Sequence, residues 1–429
     1  MKKLTTLNLF RPTLWNCRVS RIYNLNFIAM RKLLVIIFLL FFATIASAQN
    51  YLDITRRIDS LVKIGLPKSA LKEADSFYLL ARKNNNAPQE IKAAMYRMKL
   101  QSTGSEATFV VVIDTLKQEI QRAEYPVKPV LLSLLAGTYR NYFDYYRYTF
   151  YQRSRLEKAG TDFTKWDMQT INSEIGRLYD LSLQDYKKEQ QTPIDGFEND
   201  LIGDKNERYW RTTLYDLLLQ EALGYFLNDE TAIDKPKMPF TLSDPKLFAD
   251  SRTFANISIT TTDTSSTFYR GIKYLQQATI FHLQNPGDEA LAAIDLQRLE
   301  FLHNNFELDT KDELYVAALK QVAASYSTKP VSADAFVLLG KYYQGNYQAY
   351  MNDYSADNIV TAIEYYKKAV AAFPESLAAK NAAGYISQLT VQVPVGKEYR
   401  VFSDSGAGFY DIAIYLVGIQ RICFCFKCC

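Results

Sequence analysis

Side chains that do acid–base or nucleophilic chemistry near neutral pH are scarce in this sequence. Its 429 residues include two histidines, His282 and His303, and five cysteines. A histidine ligates or catalyses only with partners beside it, and neither stands in an H-E-x-x-H or comparable spacing. Both are expected on separate helices as surface or hairpin-packing residues. The cysteines are Cys17, Cys423, Cys425, Cys428 and Cys429, so residues 18–422 fold without disulfides. The terminal Cys-Phe-Cys-Phe-Lys-Cys-Cys matches no zinc-knuckle spacing and reads as an out-of-frame tail. G-x-S-x-G, phosphate-loop and dinucleotide motifs do not occur. No catalytic, cofactor-binding or metal-ligating residue is assigned, no cofactor is expected, and enzyme activity is not expected.

Aromatic residues are the abundant resource. Tyr139, Tyr142, Phe143, Tyr145, Tyr146, Tyr148, Phe150 and Tyr151 crowd one stretch, interleaved with Arg140 and Arg147 and followed by Arg153. The apolar stripe of a helix covers only part of its circumference, so these rings do not all face one core. Tyrosine tolerates half-burial, and most of them are expected to fill a seam between helices. Tyr142, Tyr145, Tyr146 and Arg147 form the candidate binding surface for a peptide, a sugar or another domain.

The elements that position these residues read as helices. Ile54, Ile58, Leu61 and Val62 recur at helical spacing before the break Gly65-Leu66-Pro67. A second helix with Ala70, Leu71, Ala74, Phe77, Tyr78 and Ala81 ends at Asn84-Asn85-Asn86. Two helices joined by so short a break form an antiparallel hairpin, the unit of helical repeats. Further helices are expected at 88–101, 107–123, 128–158 and 165–188. Pro and Gly then punctuate an irregular segment, 189–267, with one helix at Tyr209–Leu227. Helices resume at 267–284, 287–304 and 309–326.

A tetratricopeptide-like unit follows at 333–374. Phe336, Leu339, Gly340 and Tyr343 take the pattern of its first helix, and Ala362, Tyr366, Ala369 and Pro374 that of its second. Small Gly and Ala let two helices approach, aromatics fill the gaps, and Pro stops the second helix. The turn is longer than the repeat requires, and residues 345–357 are expected to form a surface loop. Leu389, Val391 and Val393 alternate with polar residues, which is strand periodicity.

The fold class that emerges is mainly α: stacked antiparallel helical hairpins of a tetratricopeptide-like α-solenoid, with the start of a β-sandwich near the C-terminus. Its expected divisions are 1–29, an over-extended start; 30–48, a signal peptide; 49–188, helical repeats; 189–267, loop-rich; 268–388, helical repeats; and 389–429, a truncated β-domain start with the tail. The signal has a basic pair, Arg31 and Lys32, an apolar run Leu33–Phe42, and Ala46-Ser47-Ala48, with cleavage expected before Gln49. That run is too short for a transmembrane span of about 20 residues. The address is the periplasm or cell envelope, with no transmembrane span in the mature chain. The formal charge is +4, but residues 1–48 hold seven basic and no acidic side chains, so the remainder carries −3. Such a body has no general electrostatic reason to bind nucleic acid.

The texture of the chain resembles the N-terminal helical region of large bacterial alpha-2-macroglobulin-like proteins. The resemblance is carried by the signal, Ile58-Asp59-Ser60-Leu61, Gly65-Leu66-Pro67-Lys68-Ser69-Ala70-Leu71, Ala93–Leu100 and Leu134–Arg155. The switch from the Tyr365–Pro374 helix to the Leu389–Val393 strand adds to it, and the likeness covers about residues 30–400. It implies a helical segment preceding macroglobulin-like β-sandwich domains, in a family associated with trapping peptidases in the cell envelope. The partner implied is another protein or those downstream domains. No Cys-x-Glu-Gln thioester motif, bait region or complete sandwich occurs, so no residue here inherits the trapping chemistry, and the chain is expected to be the head of such a protein. An alternative class is a glycan-binding outer-membrane nutrient-uptake protein with tetratricopeptide-like helices. An envelope hydrolase with a cryptic site is a third.

Overall fold

The computed structural model describes residues 51–101, 106–194, 211–228, 238–285, 289–349 and 356–389. Its regular elements are helices α1 (51–63), α2 (Pro67–Lys83), α3 (Ala87–Gln101), α4 (Glu106–Arg122), α5 (Val127–Tyr145), α6 (Arg147–Tyr151), α7 (Met168–Ser182), α8 (Tyr186–Glu189), α9 (Leu214–Phe226), α10 (Ser251–Ala255), α11 (Thr267–His282), α12 (Glu289–Asn305), α13 (Lys311–Ser325), α14 (Val331–Ala349), α15 (Ala356–Ala372) and α16 (Leu377–Leu389). Short 3₁₀ turns occupy Phe163–Lys165 and Pro245–Phe248. Among the described residues, β-structure is confined to two isolated bridges, Pro193 with Thr213 and Leu242 with Phe306. The fold is mainly α, built from stacked helical hairpins. No helix among the described residues is long and apolar enough to cross a membrane.

The chain divides into two units between Val112 and Ile113. In the first, α2 and α3 form a hairpin. Its turns show why the breaks fall where they do. Gly65 adopts φ +77°, and its N–H and that of Leu66 donate back to Val62 and Leu61 carbonyls. Glycine enters this left-handed region without steric cost, and Pro67 then opens α2 where its missing N–H is not needed. Asn85, at φ 51°, closes α2 in the same manner. Across the hairpin, the buried Tyr78 hydroxyl donates to Glu90 and the Arg97 guanidinium pairs with Asp75 at 2.7 Å.

In the second unit α5 packs on α7, α7 and α5 on α9, α9 on α11, and then each helix on the next from α11 to α16. The expected divisions near 188 and 267 fall inside this unit. Three expected helices are shorter than the sequence suggests. The 128–158 helix stops at Tyr145, because Tyr146 leaves the helical region and α6 folds Phe150 back onto Tyr142 and Phe143 at 5.8 and 5.2 Å. The 165–188 helix begins at Met168, where the Asp167 carboxylate caps the Thr170 N–H at 2.8 Å. The helix expected at Tyr209–Leu227 starts later, at a capping box in which the Thr213 hydroxyl accepts from the Asp216 N–H and Asp216 returns the bond.

The repeat unit is α14 and α15. Ala362, Tyr366 and Ala369 are fully buried between these helices and α16, with half-buried Phe336 and Tyr343 against them; Leu339 is also fully buried, and Pro374 is exposed. The extra residues of this unit lengthen α14 to Ala349 rather than looping out from 345; residues 350–355 lie outside the described residues. A Cβ placed on Gly340 would come within 2.6 Å of Cδ1 and 2.8 Å of Cζ of Tyr366. That ring is fully buried and its hydroxyl donates to Gln344 Oε1 at 2.7 Å, so it has no free direction of retreat. Gly340→Ala is therefore expected to lower stability by about 2 kcal/mol, overpacking outweighing the better helix propensity of alanine. A Tyr366→Leu second substitution should restore part of that loss in thermal melts; an undisturbed melting point for Gly340→Ala alone would refute the close approach.

The strand expected from Leu389 is not seen at its first residue, since Leu389 closes α16 as a helical residue packed on α15. The rest of the β-domain start, residues 390–429, lies outside the described residues, as do the signal segment and Ala46, Ala48 and Gln49.

Candidate functional site: an arginine-lined cleft

A cavity of about 640 Å³ opens in the second unit. One wall is α7, from Met168 to Asp180; another is the start of α11. The extended segment Pro239–Leu242 and the end of α12 close it. Arg153 and Arg155 enter from the chain that follows α6, Arg177 from α7 and Arg270 from α11.

Internal hydrogen bonds hold these walls. Asp167 accepts from Thr170 N–H with one oxygen and from Leu156 N–H at 2.6 Å with the other, tying the 152–166 segment to α7. Burial opposes ionisation of Asp167, but these hydrogen bonds outweigh it and hold the carboxyl below its usual range. Trp166 donates its indole N–H to Gly160 and stacks on the buried ring of Tyr139 at 5.7 Å. Arg153 donates to the Trp166 carbonyl at 2.5 Å and lies over the Phe150 ring. Asp263 accepts from Ser265 Oγ and from Phe240 N–H at 3.2 Å, fastening the extended segment to the start of α11.

Arg270 joins α11 to α7. Its Nη2 donates to the Gly176 carbonyl at 2.9 Å and to Asp180, whose second oxygen accepts from Tyr274 Oη at 2.6 Å. Its guanidinium also covers the Phe226 ring at 4.3 Å. The group fits because position 176 has no side chain: a Cβ there would lie 2.5 Å from Arg270 Nη1. Arg177 grips Glu174 with two N–H groups, at 2.7 and 2.8 Å.

The aromatic stretch is placed differently from the surface anticipated for it. Tyr142 is fully buried, in edge contact with Phe150 and Phe163, so it belongs to the core and is withdrawn from the binding surface. Tyr145 is 64% exposed, whereas Tyr146 and Arg147 are half-buried, with Arg147 paired to Asp144 at 3.1 Å. Exposed Tyr148 and Tyr151 meet edge to face at 88°, which gives no coplanar platform for stacking a sugar ring. None of the four candidate residues borders the cleft.

Both histidines pair with carboxylates. Nε2 of the buried His282 lies 2.9 Å from Asp216 Oδ1, while the other oxygen of Asp216 accepts from Thr212 and Thr213. Neither His282 nor Asp216 borders the cleft, and together they bind the start of α9 to the end of α11. His303 lies 2.8 Å from Asp312 and stacks on Tyr315 at 4.2 Å, joining α12 to α13. Among the described residues no three His, Cys, Asp or Glu side chains cluster as a metal site would require.

Arg177, Arg270 and Gly176 were not singled out in the sequence. Gly176 inside an otherwise regular helical pattern was the one local sign of close approach, and nothing local names Arg270 as its partner. No protein-family model matches the chain and no curated protein matches it, so its functional reading rests on the geometry of this cleft.

Proposed function

We propose that the chain is an exported, non-enzymatic helical-repeat scaffold for protein–protein or inter-domain contacts, the N-terminal part of an alpha-2-macroglobulin-like peptidase-trapping protein of the periplasm or cell envelope. The observation that supports it is the arginine-lined cleft, whose walls are fixed by bonds within the chain. A preformed groove loses little conformational freedom on docking, so contact energy is retained as affinity. The half-buried Phe240 and Phe268 beside the arginines combine apolar and polar contacts as protein interfaces do.

A photo-cross-linking residue at Phe240, in the full chain expressed in its native host, tests the reading. The expected result is one adduct of defined mass at Phe240 and none at the exposed Leu79 of α2. Intact mass of the product in the cell envelope tests the family part, a longer product bearing β-sandwich domains being the expected outcome. Absence of an adduct combined with retention on immobilised glycans would transfer the chain to the nutrient-uptake class.

A further inference from the structure

The charged groups of the cleft are not evenly committed. Of its carboxylates, Asp167, Asp180 and Asp263 each have both oxygens engaged by donors of the walls. The arginines spend only part of their capacity. Five N–H groups are available on each guanidinium. Among the described residues Arg153 uses Nη1, Arg270 uses Nη2, and Arg177 uses Nε and Nη2. A site whose three aspartates are engaged by its own walls, while its guanidinium groups keep donors to spare, favours a ligand rich in anionic acceptors.

The remaining lining separates a polypeptide from a bare polyanion. Pro239, Phe240, Met168 and Phe268 supply apolar surface between the arginines. Thr241 is exposed and makes no hydrogen bond among the described residues, while its neighbours are fastened through Phe240 N–H and the Leu242 carbonyl. That arrangement leaves a short main-chain edge of the kind an extended peptide pairs with.

We propose that the cleft binds an extended acidic segment of a partner polypeptide, its carboxylates taken by Arg153, Arg177 and Arg270 and its intervening apolar side chains by Phe240 and Phe268. This rests on the scaffold reading and names the chemistry of its partner. Glu307, exposed at the rim, is the wall carboxylate that opposes such a ligand.

The test measures fluorescence anisotropy of the full chain with a fluorescein-labelled twelve-residue peptide alternating Glu and Val, against the same peptide with Gln for Glu. The Gln peptide is expected to bind about tenfold more weakly, and Arg177→Gln and Arg270→Gln to weaken the Glu peptide about five- to tenfold each. Gly176→Ala should reproduce the Arg270→Gln loss by displacing that guanidinium, and Glu307→Gln should tighten binding about two- to threefold. Arg56→Gln, on an exposed pair of the first unit, should change nothing. If Arg270→Gln fails to fold, Arg177, which lies on the exposed face of α7, still decides the matter. Equal affinity for the two peptides, no binding of either, or unchanged affinity in the arginine variants overturns the proposal. So does binding of dextran sulfate in place of the Glu peptide. The Phe240 adduct is scored independently: an adduct without acidic preference leaves the scaffold standing and removes only the acidic ligand.

Discussion

Replacing Arg298 with methionine is expected to cost about 3–5 kcal/mol locally, more than any other single change considered. Arg298 is 1% exposed in the middle of α12. It donates to the Leu247 carbonyl at 2.5 Å, the Ala249 carbonyl at 2.9 Å and Asp295 Oδ1 at 2.8 Å, and its guanidinium covers the Phe254 ring. The other Asp295 oxygen accepts from Ser251 Oγ. One side chain therefore pins the 3₁₀ turn and α10 onto α12. Burial pushes the Asp295 carboxyl up, and the adjacent Arg298 draws it back. Methionine fills similar space but strands a buried carboxylate and two carbonyls, and such groups cost most when one partner goes. Hydrogen exchange of residues 245–257 should accelerate by about two to four orders of magnitude, as expected for a local opening made that much easier. An Arg298→Met, Asp295→Leu double variant should recover a large part of the loss, because it removes both charges together. Exchange rates unchanged in the single variant would refute the tether.

This tether shows where legibility from sequence ended. Arg298 lies in a stretch, Ala292 to Leu302, that reads as an ordinary helix, and its partners are carbonyls of a segment more than forty residues earlier. Main-chain carbonyls carry no sequence signature. The same limit hid the cleft, whose arginines come from three separate segments and converge only through packing. What was legible had local causes. Gly65 and Pro67 end and begin helices through their own backbone preferences, and the Gly340–Ala362–Tyr366 pattern records a close approach in its small and large residues. The aromatic run at 139–151 was visible as composition, but which rings turn inward depends on the segment bearing Phe163 and Trp166, which supplies their contacts. Sequence position alone did not distinguish buried Tyr142 from exposed Tyr145.

Glu189 carries the second large effect, and its sign is opposite to the usual acidic residue. It closes the short helix α8, is fully buried, and neither carboxylate oxygen has a hydrogen-bond partner among the described residues. The hydroxyl of Tyr215, close enough to sense its charge, is also buried without one among the described residues. Burial, reinforced by Asp185 one turn earlier, pushes the Glu189 pKa to about 8. In an unfolded chain the same group titrates near 4.3. Between these values the native state holds a proton that the unfolded state has released, so stability falls as pH rises from about 4.3 and levels off above about 8. Each unit of difference is worth about 1.36 kcal/mol, giving an upper bound near 5 kcal/mol; water entry and relaxation reduce the effective loss to about 3 kcal/mol. Glu189→Gln abolishes this titration while keeping shape. The variant is expected to match or fall slightly below the parent at pH 4.5, because its amide brings donors that also lack partners. At pH 8.5 it should melt several degrees higher, with the difference growing monotonically between the two pH values. A constant difference across that range, or a parent that gains stability relative to the variant as pH rises, would falsify the assignment of an uncharged Glu189 at neutral pH.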